Sequence, residues 1–295
     1  MKEYNMAAGK ALLVCENVKK EYGDFTLDAS IELKKGCVTG LIGKNGAGKT
    51  TLFKALLGLV KMDGGSIFWE GNKVPCLDEK IRAMVGVVLS DSFFSGYLYV
   101  TDICAVMEQM HPSFNKKVFL EICRKKSIPL KKPVKEFSTG MKAKLKVLCA
   151  LSYQTKLLIL DEPTLGLDVV ARDEILQMLR EYMEQDEERA ILISSHISGD
   201  LEGLCDDIYM IDEGRIVLYE DTDVLLSTYG ILKVTKEQYA QLDKNYILRV
   251  KEEGFGYRIL TDQKAFYMEN YPQITIENGN IDELIFLMVS GKKIG

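Results

Sequence analysis

The feature that most constrains the fold of this chain is the segment GKNGAGKT at residues 43–50. It satisfies the pattern G-x-x-x-x-G-K-[ST], and it lies between a short apolar run and a run with helical spacing. A glycine-rich turn in that context is typical of a phosphate-binding loop, because its backbone N–H groups can surround a phosphate. A turn without function is the alternative, but it leaves the complete motif unexplained. The sequence therefore predicts a strand, a phosphate-binding loop and a helix over residues 38–60.

The residues of this loop have distinct expected roles. We expect Lys49 to reach the β- and γ-phosphates of a nucleotide, and Thr50 to offer its hydroxyl group to Mg²⁺. Thr51 is placed to contact the phosphate nearer the nucleoside. Glycine is needed where the backbone must wrap closely around the phosphate, which is the role expected of Gly43, Gly46 and Gly48.

A second motif, LLILDEP at residues 157–163, places two adjacent acids after four aliphatic residues. Asp161 stands at the end of a predicted buried strand, where it can hold Mg²⁺ and its water shell. Glu162 suits a general base that polarises water for in-line attack on a γ-phosphate. Taken alone, Glu162 is also compatible with an exposed strand-end acid. The adjacent pair, followed by Pro163, favours ATP hydrolysis.

Short apolar runs alternate with helical patterns along most of the chain. Residues 50–60 and 169–185 carry apolar residues at three- and four-residue spacing, which is the helix period. The apolar runs between them are brief and aliphatic, as expected of strands buried on both faces of a parallel sheet. They lie at residues 38–43, 84–89, 156–162 and 190–196. The alternation predicts an α/β fold with a mostly parallel sheet.

Two regions depart from this alternation. Residues from about 90 to 150 lack strand patterns and predict a helical insertion. Further along, residues 246–262 predict paired strands and residues 280–291 predict an amphipathic helix. We therefore expect one large domain over residues 1–224 and a small α+β extension over residues 225–295.

Composition and charge restrict the classes of function. The 295 residues have a net charge of −5, so no basic field favours nucleic acid or an anionic membrane surface. The seven cysteines are dispersed, which favours reduced, mostly buried thiols over a metal site. No apolar stretch approaches the ~18–20 residues of a membrane-spanning helix, and the N-terminal residues lack a signal-peptide pattern. We therefore expect a cytoplasmic chain that reaches a membrane only through a partner.

A third motif, FSTGM at residues 137–141, is predicted to begin a helix. A helix start offers unpaired backbone N–H groups and a positive dipole end, so it suits an anion. Taken alone, the segment is equally compatible with a capped amphipathic helix that has a solvated lysine face. Together with the two motifs above, it makes residues 12–220 resemble the ATPase subunit of an ABC transporter. FSTGM is similar to that family's LSGGQ signature, with Ser138 and Gly140 in place.

Two further segments are similar to family motifs in the same order and spacing. LGLD at residues 165–168 resembles the D-loop, with Asp168 as its acid, and His196 matches the switch histidine. The resemblance implies that two ATPase domains pack head to tail, with each ATP between one P-loop and the other chain's signature helix. Ser138 and Gly140 would then contact the γ-phosphate of the partner's ATP. The resemblance gives His196 a hydrogen bond to the γ-phosphate, whereas a satisfied core histidine is the alternative.

The resemblance also implies a set of site residues. Tyr22 lies where the family stacks an aromatic ring on adenine, although an exposed tyrosine is the alternative. Catalysis is assigned to Glu162, His196 and Lys49, and Mg²⁺ accompanying ATP is assigned to Thr50 and Asp161. The implied ATP contacts are Tyr22, Gly43, Asn45, Gly46, Ala47, Gly48, Lys49, Thr50, Thr51, Ser138 and Gly140.

Four positions depart from the family pattern or follow a departure. Thr139 and Met141 replace a glycine and a glutamine of the signature. Ser90 stands where the family usually has a glutamine that meets Mg²⁺ and the attacking water. The next residue, Asp91, is a candidate contact for the metal or the water, with a surface role as its alternative.

The resemblance implies an exporter-type ATPase subunit that works with a separate transmembrane permease. Its second ATPase domain would come from a homodimer or from a paralogous subunit. The alternatives are a soluble ABC ATPase that acts as a mechanical switch, and a regulatory module in which residues 225–295 bind a signal. A P-loop kinase is rejected, because it leaves FSTGM, the D-loop and His196 unexplained.

Overall fold

The computed structural model describes residues 11–90, 94–195 and 197–293. Its largest element is a ten-stranded sheet in which five of nine neighbouring pairs are parallel, with the order β5-β4-β1-β2-β10-β9-β3-β8-β7-β6. The strands are β1 (Ala11–Tyr22), β2 (Phe25–Lys34), β3 (Val38–Ile42), β4 (Gly64–Trp69), β5 (Asn72–Val74), β6 (Val85–Val88), β7 (Leu157–Asp161), β8 (Ala190–Ser194), β9 (Asp207–Asp212) and β10 (Arg215–Asp221). The predicted α/β class is confirmed.

The parallel half of the sheet contains the strands that the apolar runs predicted. Strands β9, β3, β8, β7 and β6 lie side by side and point the same way. Every residue of β3, β7 and β8 is buried, which explains why these segments read as continuous aliphatic runs. The carboxyl ends of parallel strands share one edge of the sheet, and the motifs at residues 43–50 and 161–162 meet there.

The other half of the sheet is antiparallel and was not predicted. Strand β1 pairs with both β2 and β4, and β5 extends the same arm. In β2 buried residues alternate with partly exposed ones, the pattern of a strand with one covered face. The hairpin between β1 and β2 brings Tyr22 opposite Phe25. This turn lies beside the phosphate-binding loop, because Phe25 closely approaches Gly48.

Helices cover the sheet, and three of them form the predicted helical insertion between β6 and β7. The helices up to residue 202 are α1 (Lys49–Leu56), α2 (Glu79–Arg82), α3 (Val100–Met110), α4 (Lys116–Lys125), α5 (Thr139–Ala150), α6 (Val169–Met183) and α7 (Ser198–Glu202). The lysine-rich joint before α5 contains a 3-10 turn at Val134–Glu136. Among the residues described between 94 and 150 there is no strand.

A second, four-stranded antiparallel sheet follows, with the order β12-β13-β11-β14. Its elements are α8 (Thr222–Thr228), β11 (Gly230–Val234), α9 (Lys236–Gln241), β12 (Ile247–Glu253), β13 (Gly256–Thr261), α10 (Lys264–Asn270), β14 (Thr275–Glu277) and α11 (Ile281–Ser290). Strands β12 and β13 are the predicted pair, and α11 is the predicted amphipathic helix. At Gly256, φ is +147° and an added Cβ would collide with the carbonyl oxygen of Val234, so glycine is required there.

Buried apolar side chains form three clusters. One lies between α1 and the sheet and includes Leu52 and Phe53, which fixes the helix that follows the phosphate-binding loop. A second includes residues of α3 to α6 and also Leu284 and Leu287 of α11. The third belongs to the second sheet and includes Tyr267. All seven cysteines carry free thiols, in agreement with the sequence expectation.

None of the helices within the described ranges is both long and apolar enough to cross a bilayer.

Candidate functional site

The phosphate-binding loop connects β3 to α1 at the carboxyl edge of the parallel strands. Gly48 has φ of +114°, a backbone conformation that residues with side chains rarely adopt. An added Cβ at Gly48 would lie 3.1 Å from the ring of Phe25. An added Cβ at Gly43 would collide with the carbonyl oxygen of Ile211 in β9. The loop therefore requires glycine for two reasons: left-handed backbone at one position and close packing on a neighbouring strand at the other.

A cavity of about 380 Å³ opens above this loop. Its walls combine backbone from the loop, hydroxyl groups, two carboxylates and one aromatic ring, a mixture that suits a polyphosphate with an organic group attached. The lining residues are Phe25, Lys44, Asn45, Gly46, Ala47, Gly48, Lys49, Thr50, Thr51, Ser90, Asp161, Glu162 and Leu165. All the residues expected to contact ATP from the loop are among them except Gly43.

Lys49 and Glu162 form a nearly buried ion pair in this cavity. The Lys49 Nζ lies 3.6 Å from Glu162 Oε1 and donates a hydrogen bond of 2.6 Å to the carbonyl oxygen of Gly43. The side chains of Lys49 and Glu162 are only 7% and 11% exposed. A charge held in such a position interacts more strongly with a phosphate than a solvated one does, because water screens it less.

Asp161 accepts hydrogen bonds from three hydroxyl groups that come from three different elements. Thr50 at the start of α1 donates to Oδ2 over 2.7 Å, and Ser90 after β6 donates to the same oxygen over 3.1 Å. Ser194 at the end of β8 donates to Oδ1 over 2.7 Å. Asp161 is buried. These hydrogen bonds fix the carboxylate, and the hydroxyl and carboxylate oxygens around it are the ligands that Mg²⁺ prefers.

Glu162 has an unusual backbone conformation for a residue with a side chain. Its φ is +52°, in the left-handed region that mainly glycine adopts. The backbone N–H of Glu162 donates to the hydroxyl of Ser194 at 3.0 Å and to the carbonyl oxygen of Ser194 at 3.2 Å. Ser194 therefore holds both acids of the second motif. Backbone strain of this kind persists only when the surroundings enforce it, and it concentrates at functional sites.

Sequence reasoning missed Ser194 and Phe25. Ser194 lies opposite Asp161 in the register between β7 and β8, at the shared carboxyl edge of the strands. Its position at the end of a predicted strand could have indicated it. Phe25, not Tyr22, lines the cavity, whereas Tyr22 lies opposite it across the hairpin and is 45% exposed. The Lys20 Nζ lies 5.3 Å from the centroid of the Tyr22 ring.

The helix start at FSTGM lies outside the cavity, since none of the described lining residues comes from α5. Ser138 is exposed and caps α5, because its hydroxyl accepts a hydrogen bond of 3.2 Å from the Met141 N–H. An added Cβ at Gly140 would lie 2.9 Å from the Cβ of Ala171, so glycine allows α5 to approach the start of α6. Asp168 caps α6 through the Ala171 N–H at 2.9 Å.

Two predicted site residues, Asp91 and His196, lie outside the described residues. The other histidine, His111, stacks on Tyr153 with ring centroids 3.6 Å apart, and burial lowers its pKa. It lines a separate groove between the end of β6 and helices α3 and α5.

Comparisons with known proteins agree with this geometry. A family model described as ABC transporter matches residues 27–165. The lantibiotic transport ATP-binding protein SrtF of Streptococcus pyogenes is 36% identical over 72% of this chain and 92% of its own length. The ABC transporter ATP-binding protein YtrB of Bacillus subtilis (strain 168) is 28% identical over 90% of this chain and 93% of its own. A solved ATP-binding subunit of an ABC transporter has a TM-score of 0.64 at 24% identity, covering 78% and 93% of the two chains.

Proposed function

This chain belongs to the ATP-binding subunits of the ABC transporter family, whose members hydrolyse ATP to power transport, and we propose that Lys49, Asp161 and Glu162 carry out that reaction here. The observation that carries the proposal is the cavity in which these three side chains meet above the phosphate-binding loop. A cation, a carboxylate suited to Mg²⁺ and a candidate base within one nucleotide-sized cavity are the parts that phosphoryl transfer to water requires.

The loop and Lys49 bind the phosphates in this account. The backbone N–H groups of the loop surround the β-phosphate, and Lys49 carries the positive charge that meets the γ-phosphate. The Lys49 ammonium pairs with the Glu162 carboxylate in the structure. The γ-phosphate competes for this ammonium when ATP binds, which weakens the pairing between Lys49 and the Glu162 carboxylate.

Glu162 is the general base of the proposed reaction. The water oxygen forms a bond to the γ-phosphorus while the bond between that phosphorus and the bridging oxygen of ADP breaks. The proton of the water passes to the Glu162 carboxylate. The restrained backbone of Glu162, held by Ser194, keeps the carboxylate in one place during this step.

The residues around Asp161 fit the Mg²⁺ that ABC ATPases generally use with ATP. Thr50 and Asp161 are the proposed ligands, and both offer the hard oxygen atoms that this ion prefers. When bound, a Mg²⁺ ion would neutralise negative charge on the phosphates. Ser90 offers a third oxygen beside them where the family usually has a glutamine.

We extend the proposal to a head-to-tail dimer, formed with a second copy or a paralogous subunit. The exposed start of α5, with Ser138 and Gly140, would contact the γ-phosphate of an ATP bound by the other subunit. The apolar side chains of Leu165, just before α6, and of Val169 and Val170, in its first turn, are 51%, 79% and 70% exposed. A dimer partner across the cavity would cover such a group, which supports this arrangement.

The proposed membrane partner is a separate permease, and the chain would lie at the cytoplasmic face of the membrane. A groove of about 350 Å³ between β6, α3 and α5 includes Met107, Met110 and Phe94. An apolar groove of this kind suits a short helix of the permease. The name of SrtF supports a lantibiotic as the first cargo to test in an exporter-type transporter. Residues 1–224 would be the ATPase domain, and residues 225–295 an extension.

The catalytic proposal is tested by Glu162→Gln, which keeps the shape of the side chain and removes its basicity. Phosphate release should fall at least about 100-fold, the typical contribution of a general base, while ATP affinity, measured by fluorescence of a labelled nucleotide, should persist. Glu70→Gln is the matched control, since Glu70 also has a positive φ but is an exposed acid outside the cavity. Full turnover by the Glu162→Gln variant would reject Glu162 as the base.

The partner proposal is tested by affinity purification of the tagged chain from its native membranes in mild detergent. Recovery of a multi-spanning membrane protein is the expected result. Reproducible recovery of soluble proteins alone, with ATP present, would favour a mechanical switch instead.

A further inference from the structure

Helix α11 is attached at both of its ends to the second sheet. Arg258 of β13 donates to Glu283 Oε1 over 2.9 Å, and Arg249 of β12 donates to the carbonyl oxygen of Met288 over 3.2 Å. Directly after the helix, Lys292 exchanges two backbone hydrogen bonds with Val250, of 2.9 and 2.8 Å. Because these contacts involve both ends of the helix, they hold α11 in a fixed position on the second sheet.

The N-terminal end of α11 contacts α7 of the ATPase fold. The Ser198 hydroxyl donates to Asp282 Oδ2 over 2.7 Å, and the Ile281 N–H donates to Glu202 Oε1 over 2.9 Å. The second contact places a carboxylate of α7 at the helix N-terminus, where the helix dipole favours negative charge. Ile281 and Leu284 belong to the same buried apolar cluster as Leu201 of α7. The interface is therefore both packed and hydrogen-bonded.

The opposite side of α7 contacts the segment that follows Glu162. Asp200 is completely buried, and it accepts a hydrogen bond of 2.6 Å from Thr164 and forms an ion pair with Arg172. Thr164 is itself buried two residues after Glu162, and Arg172 lies in the first turn of α6. Helix α7 thus lies between α11 on one side and the connection from Glu162 to α6 on the other.

We infer that Ser198 and Asp282 are positioning residues for ATP hydrolysis, through which the second sheet and α11 hold α7 and, by way of Asp200, the segment carrying Glu162. The inference rests on the proposed role of Glu162. It gives the C-terminal part of the chain a task in the ATPase reaction, distinct from binding a signal or a cargo. The phosphate-binding loop connects β3 to α1, and Lys49 is the first residue of α1. The backbone that surrounds the phosphates is therefore carried by elements outside this connection, and we expect nucleotide affinity to depend little on it.

The test compares Ser198→Ala, Asp282→Ala and the double variant in the full-length chain with ATP and Mg²⁺. Each single variant should lower kcat roughly three- to tenfold, as expected for the loss of one hydrogen bond from the arrangement. KM for ATP and the affinity for a labelled nucleotide should change less than about twofold. The double variant should be no slower than the slower single variant, because both remove the same contact.

Two further variants separate positioning from a general structural effect. Asp282→Asn keeps an oxygen that can accept the Ser198 hydroxyl, so it should retain kcat. Asn278→Ala removes an exposed hydrogen bond of 2.9 Å with Lys264 in the same part of the chain, and it should behave as the original protein. An equal loss of kcat in Asn278→Ala would overturn the inference.

Two other results would also contradict it: a double variant with kcat within about twofold of the original protein, or a parallel loss of kcat and nucleotide affinity. The Glu162→Gln variant distinguishes this failure from failure of the proposed site. An inactive Glu162→Gln beside fully active Ser198→Ala and Asp282→Ala variants overturns the positioning role alone. An active Glu162→Gln variant would contradict the catalytic role of Glu162, and with it the positioning role of Ser198 and Asp282.

Discussion

Asp161 is fixed from three directions, and this restraint is the main single-residue feature of the candidate site. Oδ2 accepts hydrogen bonds from Thr50 and Ser90, and Oδ1 accepts one from Ser194. Because Asp161 is buried, a lost donor would leave part of a buried charge unsatisfied. The arrangement explains how a serine can stand where the family usually has a glutamine. Ser90 donates one of the hydrogen bonds that hold Asp161.

The role of Ser90 is tested by Ser90→Gln. The basal rate of ATP hydrolysis should rise or remain unchanged, because the glutamine NH2 group can donate to Asp161 in place of the Ser90 hydroxyl and the amide can also meet the metal and the attacking water. Steady-state phosphate release is the measurement. Ser95→Gln is a matched control on the exposed part of the same connection. A large loss of activity confined to Ser90→Gln would mean that the hydroxyl hydrogen bond to Asp161 has its own specialised function.

The sequence predicted which site residues to examine but not how they are held together. Lys49, Thr50, Asp161 and Glu162 follow from short motifs whose chemistry depends on neighbours in the chain. Ser194 could not be identified in the same way, because it meets Asp161 only through the register of two strands that are distant in sequence. The left-handed backbone of Glu162 likewise depends on that pairing and has no local signal.

Among the secondary-structure elements, α11 has the clearest energetic consequence. Its inner face contributes Ile281, Leu284 and Leu287 to the large apolar cluster that includes α3 to α6. Phe286 lies on the outer face and is 43% exposed. The helix therefore packs against the ATPase fold and the second sheet at the same time, so its apolar face should contribute to the stability of both.

The contribution of α11 is tested by Leu287→Ala. Removing this fully buried side chain should lower the free energy of unfolding by about 2–5 kcal/mol, since the vacated space does not fully collapse. Chemical denaturation followed by circular dichroism gives the value. Phe286→Ala is the control on the same helix and should cost much less. Equal effects of the two substitutions would contradict the buried position of Leu287.

Prediction succeeded for elements with a strong local pattern and failed for those without one. The buried parallel strands and the longer helices were evident from continuous apolar runs and the helix period. The antiparallel arm of β1, β2, β4 and β5 was not predicted. Half-buried strands carry weaker sequence patterns, and their pairing is set by tertiary packing. Helix bounds were off by a few residues, as α1 ends at Leu56 and was expected to reach residue 60.

At the scale of the whole molecule, the features of the ATPase fold divide between two surfaces. The cavity contains the loop, the two acids and Phe25, whereas the capped start of α5 lies outside it and is exposed. The chain's own α5 does not line that cavity. A second copy packed head to tail would bring its α5 to the cavity and cover Val169 and Val170. Binding of ATP would then close the dimer, and hydrolysis would release it.

The most direct measurement is the solution mass of the Glu162→Gln variant, with and without ATP and Mg²⁺, by light scattering after gel filtration. We expect a monomer of 33.2 kDa without nucleotide and a mass of about twice that with ATP, because binding without hydrolysis traps the closed dimer. Adding Ser138→Arg should abolish the dimer but keep nucleotide binding, whereas Glu121→Arg on exposed α4 should not. A mass that does not change when ATP is added would contradict an ATP site shared between two subunits. A dimer that still forms after Ser138→Arg would contradict it as well.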